Sequence, residues 1–140
     1  MKILIAADGS AYTKRMLAYL GAHPELLGPK HDYTVVHSVL AVPHRAAAYV
    51  GAEVVRKFYE DDAEAVFRPI RAFFEQQGIH AQYVHTISHA GESIAKLADE
   101  GRFDLLVMGS HGHGALTALV MGSVAAHVMA KCKTPLLLIR

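Results

Sequence analysis

The sequence predicts an α/β protein: an open parallel sheet of five strands with helices on both faces. Three observations carry this expectation. Short apolar runs alternate along the chain with segments of helical periodicity, and strands separated by helices run parallel. Apolar residues make up 52% and charged residues 19%, the balance of a chain with a buried core. A chain of 140 residues is long enough to bury about two-thirds of its unfolded surface, and residues 1–140 are expected to form one domain.

The elements follow in order. Lys2–Ala7 is a short apolar run closed by Asp8-Gly9-Ser10, a strand leaving into a turn. Ser10 stands where it would cap the helix Ala11–Gly21, in which Met16, Leu17 and Leu20 recur at helical spacing. Tyr33–Leu40, with its β-branched residues, has a strand's length. From Val50 to Gln77, the residues Val55, Tyr59, Ala63, Val66, Ile70 and Phe73 return every three or four positions, which predicts a long amphipathic helix. Pro69 lies inside it and predicts a kink or a fresh start there; Gly78 ends it. Ala81–Ile87 reads as a strand, and Glu92–Glu100 as a helix with Ile94, Leu97 and Ala98 on one face. Asp104–Met108 is a strand, Leu116–Leu119 is ambiguous, Ser123–Lys131 is a helix, and Pro135–Ile139 is a last strand. No internal repeat, linker or low-complexity tract interrupts the series.

Fourteen basic and 13 acidic residues leave a net charge of +1, so no general field draws in nucleic acid or a membrane surface. The lone Cys132 cannot form an internal disulfide, which fits a reducing compartment. The N-terminal apolar run meets Asp8 too early to be a signal peptide or a membrane span. A cytoplasmic protein is expected.

In open parallel sheets, ligands bind at the carboxyl ends of strands where the strand order reverses. With the order 3-2-1-4-5, the reversal falls between strands one and four. The loops after these strands are Asp8-Gly9-Ser10 and Met108–Ser123, MGSHGHGALTALVMGS, which holds four glycines and two histidines but no lysine, arginine or acid. The P-loop pattern G-x-x-x-x-G-K-[ST] is absent. The dinucleotide fingerprint also fails, because Thr117 stands where the third glycine after Gly112-His113-Gly114 belongs. What remains is Gly109-x2-Gly112-x9-Gly122-Ser123. Gly109 can leave the strand at angles closed to other residues. Gly112 and Gly114 let main-chain N–H groups point inward, and Gly122-Ser123 opens a helix whose first N–H groups are unpaired. Converging amides at a helix N-terminus suit a phosphate.

Plainer readings stand beside these. The glycines also serve as turn residues, Asp8 as an anion favouring a helix dipole, and Ser123 as a helix cap or as a phosphate ligand. His111-x-His113 has no neighbouring Cys, Asp or Glu to complete a metal set, and no metal site is expected. His37 reads as a hydrogen-bonded core or rim residue, Cys132 as a small helix-end residue, and Phe58, Phe67, Phe73 and Phe74 as packing residues.

The spacing G-x2-G-x9-G-[ST] after the fourth strand, Asp8 at the end of the first strand, and the closing Thr134-Pro135-Leu136-Leu137-Leu138-Ile139 together resemble the ATP-binding type of the universal stress protein family. The likeness covers essentially the whole chain. It implies a flavodoxin-like (adenine nucleotide α-hydrolase-like) fold that binds ATP. By this resemblance Asp8, with Ala7 beside it, holds the ribose or adenine side, and the backbone around Ser38 borders the adenine. Met108 and Gly109 line the ribose and α-phosphate region; Gly112, Gly122, Ser123 and Val124 cradle the phosphates. The family also implies a homodimer joined through the last strands, and the charge-free Leu136–Ile139 would be an edge that a second copy could pair. The alternative is that the long helix or its preceding loop covers that edge.

One departure from the family matters. Residues 113–121, HGALTALVM, carry no Lys or Arg, and only His111 and His113 can add positive charge. Backbone donors must then do most of the binding, with Mg²⁺ supplying part of the missing charge. The expected affinity is micromolar, about −8 kcal/mol. No residue set joins a nucleophile, a general base and an orienting partner, so a regulatory module is expected rather than a turnover enzyme. The alternatives are a slow ATPase or nucleotidyl-transfer enzyme using His111 or His113, and a nucleotide-free dimeric scaffold. The segments around Val42–Val50 and His111–Leu119 are read as loops that a nucleotide could order.

Overall fold

Ile3, Leu4 and Ile5 have no exposed surface at all, so the first strand is covered on both faces. That is why it reads as an unbroken apolar run. A computed structural model describes residues 1–114 and 120–140 of the chain. Within them lie β1 (Lys2–Ala6), α1 (Ala11–Ala22), β2 (Asp32–Val39), α2 (His44–Val50), α3 (Ala52–Gln76), β3 (Ala81–Ile87), α4 (Ala90–Glu100), β4 (Leu105–Gly109), α5 (Ser123–Lys131) and β5 (Leu136–Ile139). The strands form one parallel sheet in the order β3-β2-β1-β4-β5, as expected. The reversal therefore falls between β1 and β4, where Ala6 is in register with Met108. The fold is the flavodoxin-like α/β fold.

Alternating side chains feed two cores. Ile3, Ile5, Val35 and Val107 face α1 and α3, packing with Met16, Leu20, Phe67, Ile70 and Phe74. Leu4, Val36 and Leu106 face α4 and α5, packing with Ile94, Ala98 and Val128. Each fully buried aliphatic side chain of this kind stabilises the fold by about 1.5–3 kcal/mol. The edge strand β5 lies at the far end of the sheet from α3, which packs against β2 and β3. The long helix therefore does not cover β5.

Several boundaries differ from those expected, and each has a local cause. The segment read as a loop near Val42–Val50 contains the helix α2. Gly51, at φ +91°, separates it from α3, so the long helix begins at Ala52 rather than Val50. None of the α2 side chains is buried, which is why no apolar period marks it. Pro69 neither ends α3 nor starts a new helix. It is exposed, while Phe67, Ile70 and Phe74 anchor the helix to the sheet on either side of it. Phe58, read as a packing residue, is 52% exposed on the N-terminal half of α3. Ser10 occupies the N-cap position of α1, but its hydroxyl makes no capping bond and is buried without a partner. Thr13 closes the turn instead. Its hydroxyl accepts the N–H groups of Asp8 and Gly9, both at 3.2 Å, and donates to Asp8 Oδ1 at 3.1 Å. The stretch Leu116–Leu119 lies outside the described residues.

α4 and α5 cross closely where Gly91 meets the His127 side chain; a Cβ added at Gly91 would lie 2.7 Å from His127 Cβ. Asp99, near the end of α4, then holds the turn into β5. Its carboxylate accepts the N–H groups of Lys133 and Thr134, the Thr134 hydroxyl and the Cys132 thiol. The Lys133 amide, followed by the Thr134 hydroxyl, holds the Asp99 carboxyl below its usual value. Burial pushes the Cys132 thiol up, which agrees with a helix-end packing role.

Candidate functional site

The loops after β1 and β4 face each other across a cavity of about 250 Å³ at the carboxyl ends of the strands. A larger hollow of about 530 Å³, beside Lys2, Tyr33 and Gln82, lies at the opposite ends of the strands, away from the order reversal. The floor of the crevice is apolar: Ala6 and Met108 from the two central strands, Ile94 from α4, and Ala125 from α5. Its walls are polar, with Asp8, Thr13, His37 and Ser38 on one side and the glycine loop on the other. An apolar floor with a few converging polar groups is the usual make-up of a small-molecule site.

On the β1 side, Ala7 is buried, and its N–H donates to Val36 O at 3.0 Å. Asp8 follows, and its Oδ1 accepts the Ser10 N–H at 2.9 Å besides the Thr13 hydroxyl. Gly9 completes the turn at φ +80°, in the left-handed region that favours glycine. Ser38, near the end of β2, joins a chain of hydroxyls: Thr86 donates to Ser93, Ser93 to Ser38, and Ser38 to the carbonyl of Ser88.

On the β4 side the glycines answer to space rather than to backbone angle. None of Gly109, Gly112, Gly114 and Gly122 has a positive φ, so the expectation that Gly109 needs unusual angles is not met. A Cβ at Gly109 would sit 2.7 Å from Tyr12 Cβ, and one at Gly112 would sit 2.5 Å from Asp8 Oδ2. A Cβ at Gly122 would meet His111 Cα and Ser110 O at 3.0 Å. Gly114 has nothing within 4 Å of that position among the described residues. Ser110 fixes both ends of the loop: its N–H donates to Ile139 O at 2.8 Å, and its carbonyl accepts the Gly122 N–H at 2.9 Å. The Gly122 amide is thereby engaged.

The donors then pass to α5. Gly122 is its N-cap, so Ser123 is the first residue inside the helix, and no side chain caps it. Ala126 N–H donates to Gly122 O, while the N–H groups of Ser123, Val124 and Ala125 find no acceptor among the described residues. Ser123 is exposed, leaving its hydroxyl accessible at the crevice.

Both histidines of the loop bind protein groups. His111 shares a hydrogen bond with Ser110 Oγ through Nδ1 and another with Val120 O through Nε2, and its ring centroid lies 4.8 Å from that of Tyr12. His113 Nε2 donates to Asp8 O at 2.8 Å and so links the two loops directly. No Lys or Arg lines the cavity among the described residues; Asp8 is its one acid. Among the described residues, no group of three or more His, Cys, Asp or Glu is placed to hold a metal ion.

All eleven candidate residues, from Ala7 to Val124, line this one cavity. Sequence reasoning missed Thr13, Ala90, Ile94 and Ala125, and placed His37 only in the core or rim. Thr13 sits one turn into a helix with no motif around it. Ile94 and Ala125 look like any core-facing helical positions until the strand order brings them under the loop.

The sequence profile of the universal stress protein family matches residues 1–140. The chain belongs to the universal stress protein family. Two curated members are each 31% identical over 99% of this chain: a universal stress protein of Thermus aquaticus, 97% of which is covered, and Slr1230 of Synechocystis, of which the chain spans only 42%. Among solved structures, the MJ0577 protein of Methanocaldococcus jannaschii has a TM-score of 0.76 at 23% identity, covering 99% of this chain and 94% of that one. A universal stress protein crystallised with cAMP has a TM-score of 0.71 at 19% identity, covering 100% and 97%. One from Arabidopsis thaliana with AMP bound has 0.71 at 14%, covering 99% and 90%. At these identities the structural likeness speaks for the fold of this universal stress protein. No helix among its described residues is long and apolar enough to cross a membrane.

Proposed function

We propose that this chain is a nucleotide-binding regulatory module of the cytoplasm that takes an adenine nucleotide, ATP in its resident form, at the carboxyl ends of β1 and β4. The observation that carries the reading is the set of amides of Ser123, Val124 and Ala125, without an acceptor among the described residues, in a crevice whose described lining holds no Lys or Arg. A helix N-terminus of this kind binds phosphate through backbone dipoles. The fold relatives with AMP and cAMP point to the same ligand class.

In this reading the base rests on the apolar floor beside Ser38, and Ala7 and Asp8 meet the ribose or adenine side. Met108 and Gly109 border the ribose and first phosphate. Gly112, Gly122, Ser123 and Val124 shape the phosphate cradle, with Mg²⁺ arriving on the triphosphate. His111 and His113 reach phosphate only by giving up Val120 O and Asp8 O, which favours binding over turnover. A second copy pairs along β5, the uncovered edge.

Mass spectrometry of ligand released from the purified protein tests the reading, together with calorimetry against ATP, ADP and AMP. An adenine nucleotide in the extract and micromolar heats support it. An empty extract with no heat at millimolar ligand refutes it. Sedimentation of Leu137→Arg as a monomer, beside a dimeric wild type, tests the pairing.

A further inference from the structure

His37 is the least expected residue of the crevice. It lies on β2, 8% exposed, and lines the cavity. Its Nδ1 is 2.9 Å from the carbonyl oxygen of Ala7, and its Nε2 is 2.9 Å from Asp62 Oδ2 on α3. Both partners are acceptors. A neutral imidazole has one N–H and one lone pair, so it satisfies one of them and turns a lone pair on the other; the doubly protonated ring satisfies both. Asp62, whose side chain is 43% exposed, is not a cavity residue. Its one described hydrogen bond is to His37.

The connection has a direction. Ala7 ends the strand that delivers Asp8, and Asp8 meets Gly112 and His113 across the crevice. Asp62 belongs to α3, which follows the exposed helix α2 after Gly51. The imidazole thus ties α3 to the lip of the crevice. The other titratable groups around it are His85, in register on β3; Asp8, next to Ala7; and His111 and His113 on the β4 loop. From α3, the Phe67 ring meets the imidazole edge-on at 6.4 Å.

We propose that His37 and Asp62 are a proton-linked positioning pair, which holds the β1 turn in its binding geometry when the imidazole carries both protons and makes capture of an anionic nucleotide weaken as the pH rises. The pair acts through Ala7 and Asp8 and is distinct from the backbone amides of the phosphate cradle. This inference rests on the nucleotide reading given above. Loss of a ring proton leaves a lone pair on one of the two acceptors; when Nδ1 keeps its proton for the buried Ala7 carbonyl, the bare Nε2 faces the half-exposed carboxylate. That breaks the tie to α3 and removes the ring's positive charge from a crevice that already holds Asp8.

Asp62→Asn is the informative variant. An amide can donate to the bare Nε2 of a neutral ring, so the tie survives deprotonation. The probe is cyclic AMP, whose single phosphodiester charge does not change over the range where imidazole titrates. Its Kd is measured by calorimetry at about pH 6 and about pH 8.5. Wild type is expected to weaken roughly five- to tenfold between the two, the scale of one charge-assisted hydrogen bond shared between states. Asp62→Asn should change less than about twofold. The histidines of the β4 loop are common to both proteins, so the difference between the two slopes isolates the pair. Equal slopes overturn the proposal.

A second measurement needs no ligand. Ring ¹H–¹⁵N correlation spectra of the free protein, recorded at the same two pH values, should show a His37 protonation and hydrogen-bonding pattern that Asp62→Asn changes. If wild type binds no nucleotide at either pH, the functional reading fails. The spectra still decide the pair: a His37 pattern unchanged by Asp62→Asn overturns it.

Discussion

Gly112→Ala separates a glycine required by space from one required by flexibility. The added methyl would lie 2.5 Å from Asp8 Oδ2, where ordinary contact begins at 3.4 Å. Gly112 follows closely on Ser110, whose N–H and carbonyl are both engaged, so the carboxylate is the group that must yield. Asp8 is held through its other oxygen, which takes the Ser10 N–H at 2.9 Å and the Thr13 hydroxyl at 3.1 Å. Rotating it away weakens both bonds. Each is worth about 0.5–1.5 kcal/mol net, and water reaches this half-buried carboxylate to replace part of the loss. The expected destabilisation is about 1 kcal/mol, a fall in Tm of roughly 3–4 °C for a chain of this size. Nucleotide affinity should fall further, by about tenfold or more, because the displaced carboxylate enters the space beside the cradle. The control is Gly114→Ala. Gly114 has nothing within 4 Å of its Cβ position among the described residues and no positive φ, so both effects should be absent within about 0.5 kcal/mol. Thermal melts and calorimetry on the two variants read this directly. If Gly112→Ala binds like wild type, or Gly114→Ala loses as much, close approach is not what these glycines supply.

Three further outcomes follow from the packing. Gly91→Ala forces a methyl to 2.7 Å from His127 Cβ and should cost about 1–3 kcal/mol by chemical denaturation; the double variant with His127→Ala should recover most of it. Leu4→Ala, at a position with no exposed surface at the centre of the sheet, should cost about 2–5 kcal/mol, and a loss below 1 kcal/mol would contradict the burial. The Asp99 carboxyl is held below its ordinary value of 3.8, first by the Lys133 amide and then by the Thr134 hydroxyl. Its contribution is therefore present above the unfolded carboxylate's value and is lost as the pH falls through the folded one. Wild type should be more stable than Asp99→Asn at pH 7, and the gap between their denaturant midpoints should narrow as the pH falls below the ordinary carboxylate range. A gap that persists there would mean that the carboxylate's charge is not what holds the turn.

The architecture was legible because its signals are local and repeated. Ile3 to Ala6 and Leu106 to Met108 are buried on both faces, so their apolar runs announced strands without alternation. Helix α3 showed its period because Ala63, Phe67, Ile70 and Phe74 all reach one core. α2 escaped because it buries nothing, and periodicity reports burial rather than helix. Pro69 starts no new helix, because Phe67, Ile70 and Phe74 hold one continuous helix to the core on either side of it. At the site, the glycine spacing marked a loop that lines the crevice but not the reason for each glycine. Gly109 and Gly112 are set by Tyr12 and Asp8, residues about a hundred positions away, and such distances exist only after the sheet has closed. His37 was placed correctly in the core or rim, yet its tie to Asp62 crosses from a strand to a helix and leaves no mark in the chain.

The single bond from the Gly122 amide to the Ser110 carbonyl has an evolutionary consequence. The chain leaves β4 and comes back to the same spot before α5 begins, so the excursion between these two residues is closed at its neck. Whatever sequence occupies that excursion, its exit and re-entry are set by the framework. Apart from Gly112 and His113, which meet Asp8, the segment is thus open to exchange: lysine or arginine can enter it while the anchors at Ser110 and Gly122 stay the same. Selection can then retune ligand strength or choice by rewriting a handful of codons while the rest of the molecule stays as it is.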